Sequence, residues 1–183
     1  MSQQTTKVVT GLVRFSYANV FTPSAMNEGE TPKYNVSIII PKSDTATVER
    51  IKAAIEAAKE QGRMKLADKS GKIPANIKLP LRDGDIDRAD DPAYANSWFI
   101  SANSHRKPAV VDANCDPILD ASEFYSGCYG RVSLNFYAFN VNSKGIAAGL
   151  QNLQKLRDGE PLAGGSTALE DFGGENAFQD DLM

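Results

Sequence analysis

The chain has 183 residues, of which 42% are hydrophobic and 23% charged, a composition typical of one globular domain with an appendage. No apolar run approaches the roughly 20 residues that cross a bilayer, and the N-terminal residues lack the apolar segment of a secretory signal, so we expect a cytoplasmic chain. Two cysteines and one histidine are too few for a disulfide scaffold or a four-ligand zinc site.

The charged residues are distributed unevenly. Residues 1–157 contain all 20 lysines and arginines against 16 acidic residues, which gives this span a net charge of +4. Residues 158–183 contain the other seven acidic residues and no basic one. A basic body with an acidic tail is typical of interaction tails. We therefore predict a globular domain over 1–157 and a flexible, disordered acidic tail over 158–183, and the whole-chain charge of −3 does not argue against nucleic acid.

Two strands are predicted first. Residues 8–17 alternate, with Gly11 marking a bend and with one face formed by Val9, Val13, Phe15 and Tyr17. Residues 33–40 form the second strand, which Pro41 ends.

One helix follows. Ser43, Asp44 and Thr45 are candidate N-caps and Gly62 is suited to the C-terminal end. The apolar residues between them recur at steps of three and four, which predicts a helix that packs flat against one side of a sheet.

The remaining predicted elements are shorter, apart from one strand. Residues 63–96 are irregular and contain four lysines in their first half, and residues 98–103 form a strand with Phe99, Ser101 and Asn103 on one face. Residues 109–111 and 117–119 flank a tight hairpin, and 146–150 form the last strand.

The long strand over 128–140 is the most informative stretch. Its first face is an ordinary core face with Cys128, Val132, Leu134, Phe136 and Ala138. Its second face consists of Tyr129, Arg131, Ser133, Asn135, Tyr137 and Phe139. Rings interleaved with a cation can stack bases while neutralising phosphates. The alternative, a second face covered by a helix or a partner chain, stays open on the pattern alone.

Many short strands with a single helix, and no alternation of strands and helices, indicate a mainly β (α+β) protein. For residues 1–157 we predict a nucleic-acid-binding domain that is an OB-fold-like Greek-key β-barrel with one packing helix, an architecture whose face and loops bind oligonucleotides.

The sequence gives little support for a catalytic site. The carboxylates of Asp83–Asp91 resemble a cation loop, which leaves a Mg²⁺-dependent nuclease as an alternative function, but Arg82 and Arg88 favour a solvated acidic loop. No nucleotide fingerprint or catalytic triad is present, so we predict a protein that is not an enzyme and has no metal and no cofactor.

Several blocks of the sequence are specific enough to indicate a family. They are Tyr34–Pro41 followed by Lys42–Thr45, then Lys52–Lys59, Pro80–Asp85, Asp91–Tyr94, Arg106–Asp112, Glu123–Arg131 and Gln154–Glu160. Over roughly residues 7–172 the chain resembles a bacteriophage and prophage family, long catalogued as a domain of unknown function and now described as phage single-stranded-DNA-binding proteins with an OB-fold. The resemblance implies binding of single strands in the bacterial host cytoplasm during replication or recombination, without catalysis.

The resemblance also implies a role for the tail, since acidic tails of similar proteins contact replication or recombination proteins. The candidate tail residues are Asp171, Phe172, Phe178, Asp180 and Asp181. Here the chain ends Phe178–Met183 rather than in an acidic run closed by phenylalanine, so no particular partner is indicated. A purely solubilising tail, a phage structural or assembly protein, and a homo-oligomer all stay open.

The candidate DNA-binding residues are of three kinds. Aromatic rings would stack on bases, cations would neutralise phosphates, and one amide lies beside them. The rings are Phe99, Tyr129, Tyr137 and Phe139, the cations are Arg14, Lys33, Arg106, Lys107 and Arg131, and the amide is Asn103. We expect salt to weaken binding and the acidic tail to compete with DNA for the basic groove.

Overall fold

The structure is a computed structural model that describes residues 5–25 and 29–162. Within these ranges the chain forms eight strands and three helices, the last two helices of only four residues each. The strands are β1 (Lys7–Val9), β2 (Val13–Ser24), β3 (Lys33–Pro41), β4 (Arg82–Asp83), β5 (Ser97–Ser104), β6 (Ala109–Val111), β7 (Tyr129–Val141) and β8 (Ser143–Arg157). The helices are α1 (Thr45–Gln61), α2 (Arg63–Leu66) and α3 (Gly84–Asp87).

The strands close into a barrel. β2 pairs with β3, β3 with β5, and β5 with β8 in a parallel arrangement, while β8 pairs with β7 along nearly its whole length. β7 then pairs with β1 and β2 on its other side, which completes the circuit. This mostly β, OB-like barrel confirms the predicted fold class.

The barrel interior holds the main hydrophobic core. The five residues predicted for the core face of the long strand, Cys128, Val132, Leu134, Phe136 and Ala138, are all buried. The alternation along the 13 residues of β7 places its opposite face on the outside of the barrel. Ser133, predicted on that face, is an exception, because it is buried where the register with β8 is irregular. None of the helices in the described ranges covers that outer face, since α1 packs into the main core cluster on the inner side.

Helix α1 has the predicted ends. The side chain of Asp44 caps it by accepting the backbone N–H of Thr47 at 3.1 Å, and the N–H of Gly62 donates to Ala58 O at 2.9 Å. A Cβ on Gly62 would lie 2.2 Å from the Cβ of Ala138, so the close packing of the helix end on β7 requires glycine.

The predicted first strand is in fact two strands, and this changes which side chains face the core. The chain leaves the sheet around Gly11, where a Cβ would lie 2.7 Å from the Asp44 carboxylate. As a result Val8 is buried while Val9 is 40% exposed, and a bulge in β2 leaves Tyr17 55% exposed. The prediction that Val9 and Tyr17 share the face of Phe15 is therefore wrong.

The predicted hairpin forms, while the last strand is much longer than predicted. β6 begins a tight hairpin in which Asp112 and Asp116 are joined by a backbone hydrogen bond of 2.9 Å. The last strand, β8, runs well past the predicted end at residue 150 and reaches Arg157. In the described ranges, no helix is long and apolar enough to span a membrane.

Candidate nucleic-acid interface

A row of amide side chains crosses the outside of the barrel. The strand register places Asn135 of β7 opposite Gly149 of β8, and Gly149 opposite Asn103 of β5. Asn103 lies opposite Asn35 of β3, which lies opposite Asn19 of β2. We call these four asparagines, together with Gly149, the asparagine row. Its four strand-to-strand steps of about 4.8 Å make it about 19 Å long.

An open groove of about 530 Å³ lies at the β7 end of this row. Tyr137 is 43% exposed in it, and its ring lies over Gly149, where a Cβ would be 3.5 Å from the ring atom Cε1. We call this cavity the Tyr137 groove; its lining residues are Lys7, Ser104, Arg106, Lys107, Asn135, Tyr137, Gly149, Leu150, Gln151 and Asn152. A cavity of this size with an exposed ring has room for a planar base.

The cations of the Tyr137 groove are not neutralised by acidic side chains. Among the described residues, Lys7, Arg106 and Lys107 form no salt bridge, and the Lys107 ammonium lies 5.9 Å from the centre of the Phe21 ring. Because no carboxylate of residues 5–25 or 29–162 lies within salt-bridge distance, this part of the chain presents positive charge to a polyanion that enters the groove.

The amides of the row differ in how much hydrogen bonding they already do. In the described part of the chain, the Asn103 side chain has no hydrogen bond, and Asn135 uses only its Oδ1, which accepts from the Thr6 hydroxyl at 2.8 Å. At the other end, Asn19 Nδ2 donates to Asn35 Oδ1 at 2.9 Å. The β5–β7 end of the row therefore offers donors and acceptors to a ligand, while the β2–β3 end is held by its own contacts.

The structure brings four predicted residues to this region: Asn103, Arg106, Lys107 and Tyr137. Three others lie elsewhere on the outer surface. Phe139 is half-buried over Gly145, Arg131 is exposed and donates from Nε to Thr10 O at 2.9 Å, and Lys33 begins β3.

Arg14 and Tyr129 form a separate cluster, eight residues or about 26 Å from Tyr137 along β7. The guanidinium of Arg14 lies 5.2 Å from the centre of the Tyr129 ring and that of Arg157 lies 4.9 Å from it. Arg14 also donates from Nη2 to the carbonyl of Glu160 at 2.6 Å. These side chains therefore hold the start of the predicted tail in this structure.

Residues 158–162, predicted to begin the tail, contact the barrel and are here called the anchor segment. Asp158 forms a 2.6 Å ion pair with Lys155 and accepts from the Tyr125 hydroxyl at 3.0 Å. The hydrogen bond from Lys155 and, to a smaller extent, that from Tyr125 hold the pKa of Asp158 below its ordinary value. Leu162 donates its N–H to Ser126 O at 2.7 Å. The tail candidates Asp171, Phe172, Phe178, Asp180 and Asp181 lie outside the described residues.

The prediction that Phe99 stacks on bases is wrong. Its side chain is fully buried, in edge-to-face contact with Tyr94 at 5.2 Å, and Arg82 and Arg88 each lie 5.2 Å from its ring centre. The turn of 3₁₀-helix at Pro92–Tyr94 folds over the outer face of β5 at this point, and Leu162 of the anchor segment packs against the same cluster. No face of the ring is left for a base.

The acidic loop of the nuclease alternative is occupied by internal ion pairs. Lys42 contacts the carboxylates of both Asp83 and Asp85 at 2.8 Å, and Arg82 contacts Asp87 at 3.1 Å. The hydrogen bond from Lys42 lowers the pKa of Asp85. Within residues 5–25 and 29–162, no group of three His, Cys, Asp or Glu side chains is arranged to hold a metal ion.

Seven of the ten groove residues are not among the predicted binding residues, and three of the seven are Lys7, Gln151 and Asn152. Lys7 reaches the groove because β1 pairs with β7 and places it opposite Asn135. Gln151 and Asn152 line it because β8 continues beyond its predicted end. The alternation of β7 marked Asn135 as outward-facing, but no local signal relates Lys7 to a strand more than 120 residues later.

One protein family matches nearly the whole chain. The family model described as the single-stranded-DNA-binding protein of Enterobacter phage Enc34 matches residues 6–183. The chain is also 33% identical over 171 residues to putative protein p50 of Acyrthosiphon pisum secondary endosymbiont phage 1, covering 91% of this chain and 92% of that protein.

Two solved structures are similar in fold. The single-stranded DNA-binding protein from bacteriophage Enc34 in complex with ssDNA has a TM-score of 0.75 and 26% identity, over 89% of this chain and 96% of that one. The single-stranded DNA-binding protein gp2.5 of bacteriophage T7 has a TM-score of 0.62 and 15% identity, over 88% and 97% of the two chains, and supports the fold alone. With the family model matching nearly its whole length, the chain belongs to the Enc34 family of phage single-stranded-DNA-binding proteins.

Proposed function

We propose that this protein binds single-stranded DNA with little sequence preference, in the cytoplasm of the infected bacterium, and protects it during replication or recombination. The observation that carries the proposal is the Tyr137 groove, where an exposed ring lies beside three cations that have no carboxylate partner among the described residues. The DNA would enter this groove and continue along the asparagine row. Family membership and the similar Enc34 structure support this assignment.

The chemistry of the groove accounts for tolerance of sequence. Every base has a π-face, so stacking on Tyr137 is worth about 1–3 kcal/mol whichever base is present. The amides of Asn103 and Asn135 extend this tolerance, since an amide side chain has both donor and acceptor groups and can therefore pair with any base edge.

The cations supply the affinity that does not depend on base identity. Lys7, Arg106 and Lys107 are placed to contact phosphates at the rim of the groove. Each phosphate contact releases condensed counterions from the strand, so binding weakens as salt rises. We infer no catalytic step, because stacking and phosphate contact alone account for binding by these side chains.

The acidic tail is proposed to act as a weak gate. The anchor segment lies against Arg14 and Tyr129, and Leu162 packs on the cluster of Ile39 and Phe99, directly beside the β3–β5 part of the outer surface. A tail that continues from this position, with five acidic residues after 162, is near enough to the basic groove to compete with DNA. DNA that displaces the tail would leave it free for replication or recombination proteins.

A fluorescence-anisotropy titration with labelled oligo-dT tests the binding proposal. We expect the wild-type protein to bind oligo-dT more tightly than a duplex of equal length, and Tyr137→Ala to weaken binding about 5- to 150-fold. Met64→Ala is the control, since Met64 is 98% exposed on α2 and does not line the groove. Absence of oligo-dT binding by the folded wild-type protein would refute the proposal.

A further inference from the structure

Only two aromatic side chains are exposed in the described parts of the chain, Tyr137 and Tyr17. Tyr17 is 55% exposed and lies in a bulge of β2, between the pairs Ser16–Ser37 and Asn19–Asn35. Its φ of +48° is in the left-handed region, which is unfavourable for a residue with a large side chain. The sequence pattern assigned this ring to the face of Phe15, so it was not among the candidate binding residues.

The Tyr17 ring makes no contact within the described protein that would offset the strain of its backbone. Hydrogen bonds between the backbone of the bulge and neighbouring side chains hold its shape. The Ala18 N–H donates to the Ser126 hydroxyl at 3.0 Å, and the Tyr17 carbonyl oxygen accepts from Asn19 Nδ2 at 3.3 Å. Within residues 5–25 and 29–162, the Tyr17 side chain has no hydrogen bond or ring contact. Asparagine or glycine would adopt the same backbone more easily, so the folded state gives no reason for an aromatic side chain here.

The position of Tyr17 relative to Tyr137 suggests why an aromatic side chain is present at position 17. Because the barrel interior is filled by the core, a side chain this exposed lies on the outer surface, beside Asn19 at the β2 end of the asparagine row. Tyr137 lies at the β7 end. The two exposed rings thus lie near opposite ends of the asparagine row, which is about 19 Å long across its four strand steps.

We infer that Tyr17 is a second base-stacking platform, and that Tyr17 and Tyr137 together set the minimum length of strand that binds with full affinity. This inference rests on the proposed function. At the duplex spacing of about 3.4 Å per nucleotide, 19 Å corresponds to about six nucleotides, and an extended strand crosses it with fewer. A nucleobase is the ligand, because a flat apolar ring with an exposed hydroxyl can stack on any base.

Because the backbone of Tyr17 is strained, a substitution there can test DNA binding without lowering the stability of the fold. Tyr17→Asn keeps a residue that tolerates the left-handed region, so we expect the melting temperature to be unchanged or raised by up to about 4 °C. Affinity for dT12 should nevertheless fall about 5- to 150-fold, while Tyr17→Phe, which keeps the ring, should bind like the wild type. For dT3, shorter than the smallest OB-fold sites of about 4 nucleotides, wild type and Tyr17→Asn should be indistinguishable.

The outcomes distinguish this inference from the proposed function. If the wild type binds dT12 and Tyr17→Asn binds it equally well, Tyr17 is not a platform and the proposed function stands. If the wild type does not bind dT12, the proposed function itself fails. Should Tyr17→Asn not fold, ultraviolet cross-linking of wild-type protein to dT12 substituted with 5-iododeoxyuridine decides: a cross-link at Tyr17 supports the inference, and cross-links that exclude Tyr17 overturn it.

Discussion

Removing two cations from the Tyr137 groove should change how DNA binding responds to salt. Arg106 and Lys107 line the groove with Lys7, and among the described residues none of the three has a carboxylate partner. If each contacts one phosphate, the slope of log affinity against log salt is about −0.7 per contact, or about −2.1 for the three together. Arg106→Ala combined with Lys107→Ala should reduce the slope to about −0.7.

The difference is large enough to measure by anisotropy titration with oligo-dT. Between 50 and 200 mM salt, the wild-type affinity should fall roughly 20-fold and that of the double variant roughly threefold. Contacts from Lys33 or Arg131 would steepen both slopes equally, so the difference of about 1.4 is the quantity to compare.

A control variant that loses the same amount of charge elsewhere distinguishes direct phosphate contacts from an effect of net charge. Lys59→Ala combined with Arg63→Ala removes two cations that already pair with Glu56 at 3.0 Å and Glu60 at 2.6 Å. This variant should keep the wild-type slope. Equal slopes for the wild type and the groove variant, or an equal loss in the control, would refute the assignment of Arg106 and Lys107 as phosphate contacts.

Three further predictions concern the core, the tail and the anchor segment. Phe99→Ala should lower the free energy of unfolding by about 3–5 kcal/mol in urea titrations, because the ring is fully buried; wild-type stability would place Phe99 outside the core. Deleting residues 163–183 should tighten oligo-dT binding, most at low salt, and unchanged affinity would reject the gate. Asp158→Asn should lower the melting temperature at neutral pH. Since the Lys155 ion pair lowers the pKa of Asp158, that contribution is present above the ordinary value of about 3.9 and is lost as pH falls through the lowered pKa. If the melting temperatures of the wild type and Asp158→Asn differed by the same amount from pH 7 to pH 2, the stabilising role of the Asp158 carboxylate would be contradicted.

The sequence was most informative where one local rule determined the structure. The alternation of β7 predicted its buried face correctly, because a period of two leaves no freedom once one face is in the core. The ends of α1 followed from Asp44 and Gly62, whose capping contacts are with residues of the same helix. The barrel itself followed from the number of short strands around a single helix.

The failures come from contacts between distant parts of the chain. Phe99 alternates correctly onto the outer face of β5, but the turn at Pro92–Tyr94 and Leu162 bury it there. Lys7 enters the groove only through the register of β1 on β7. Tyr17 faces outward because of a bulge, and one extra residue in β2 leaves no pattern that a count of alternating positions detects.

The central claim, that single-stranded DNA lies in the Tyr137 groove and along the β5–β7 end of the asparagine row, is tested most directly by backbone amide chemical shifts. Labelled protein titrated with dT12 should show its largest shift changes at residues 103–107, 135–137 and 149–152. Changes confined to other surfaces, such as helix α1 or the loop of Asp83–Asp91, with these three segments unaffected, would contradict the account.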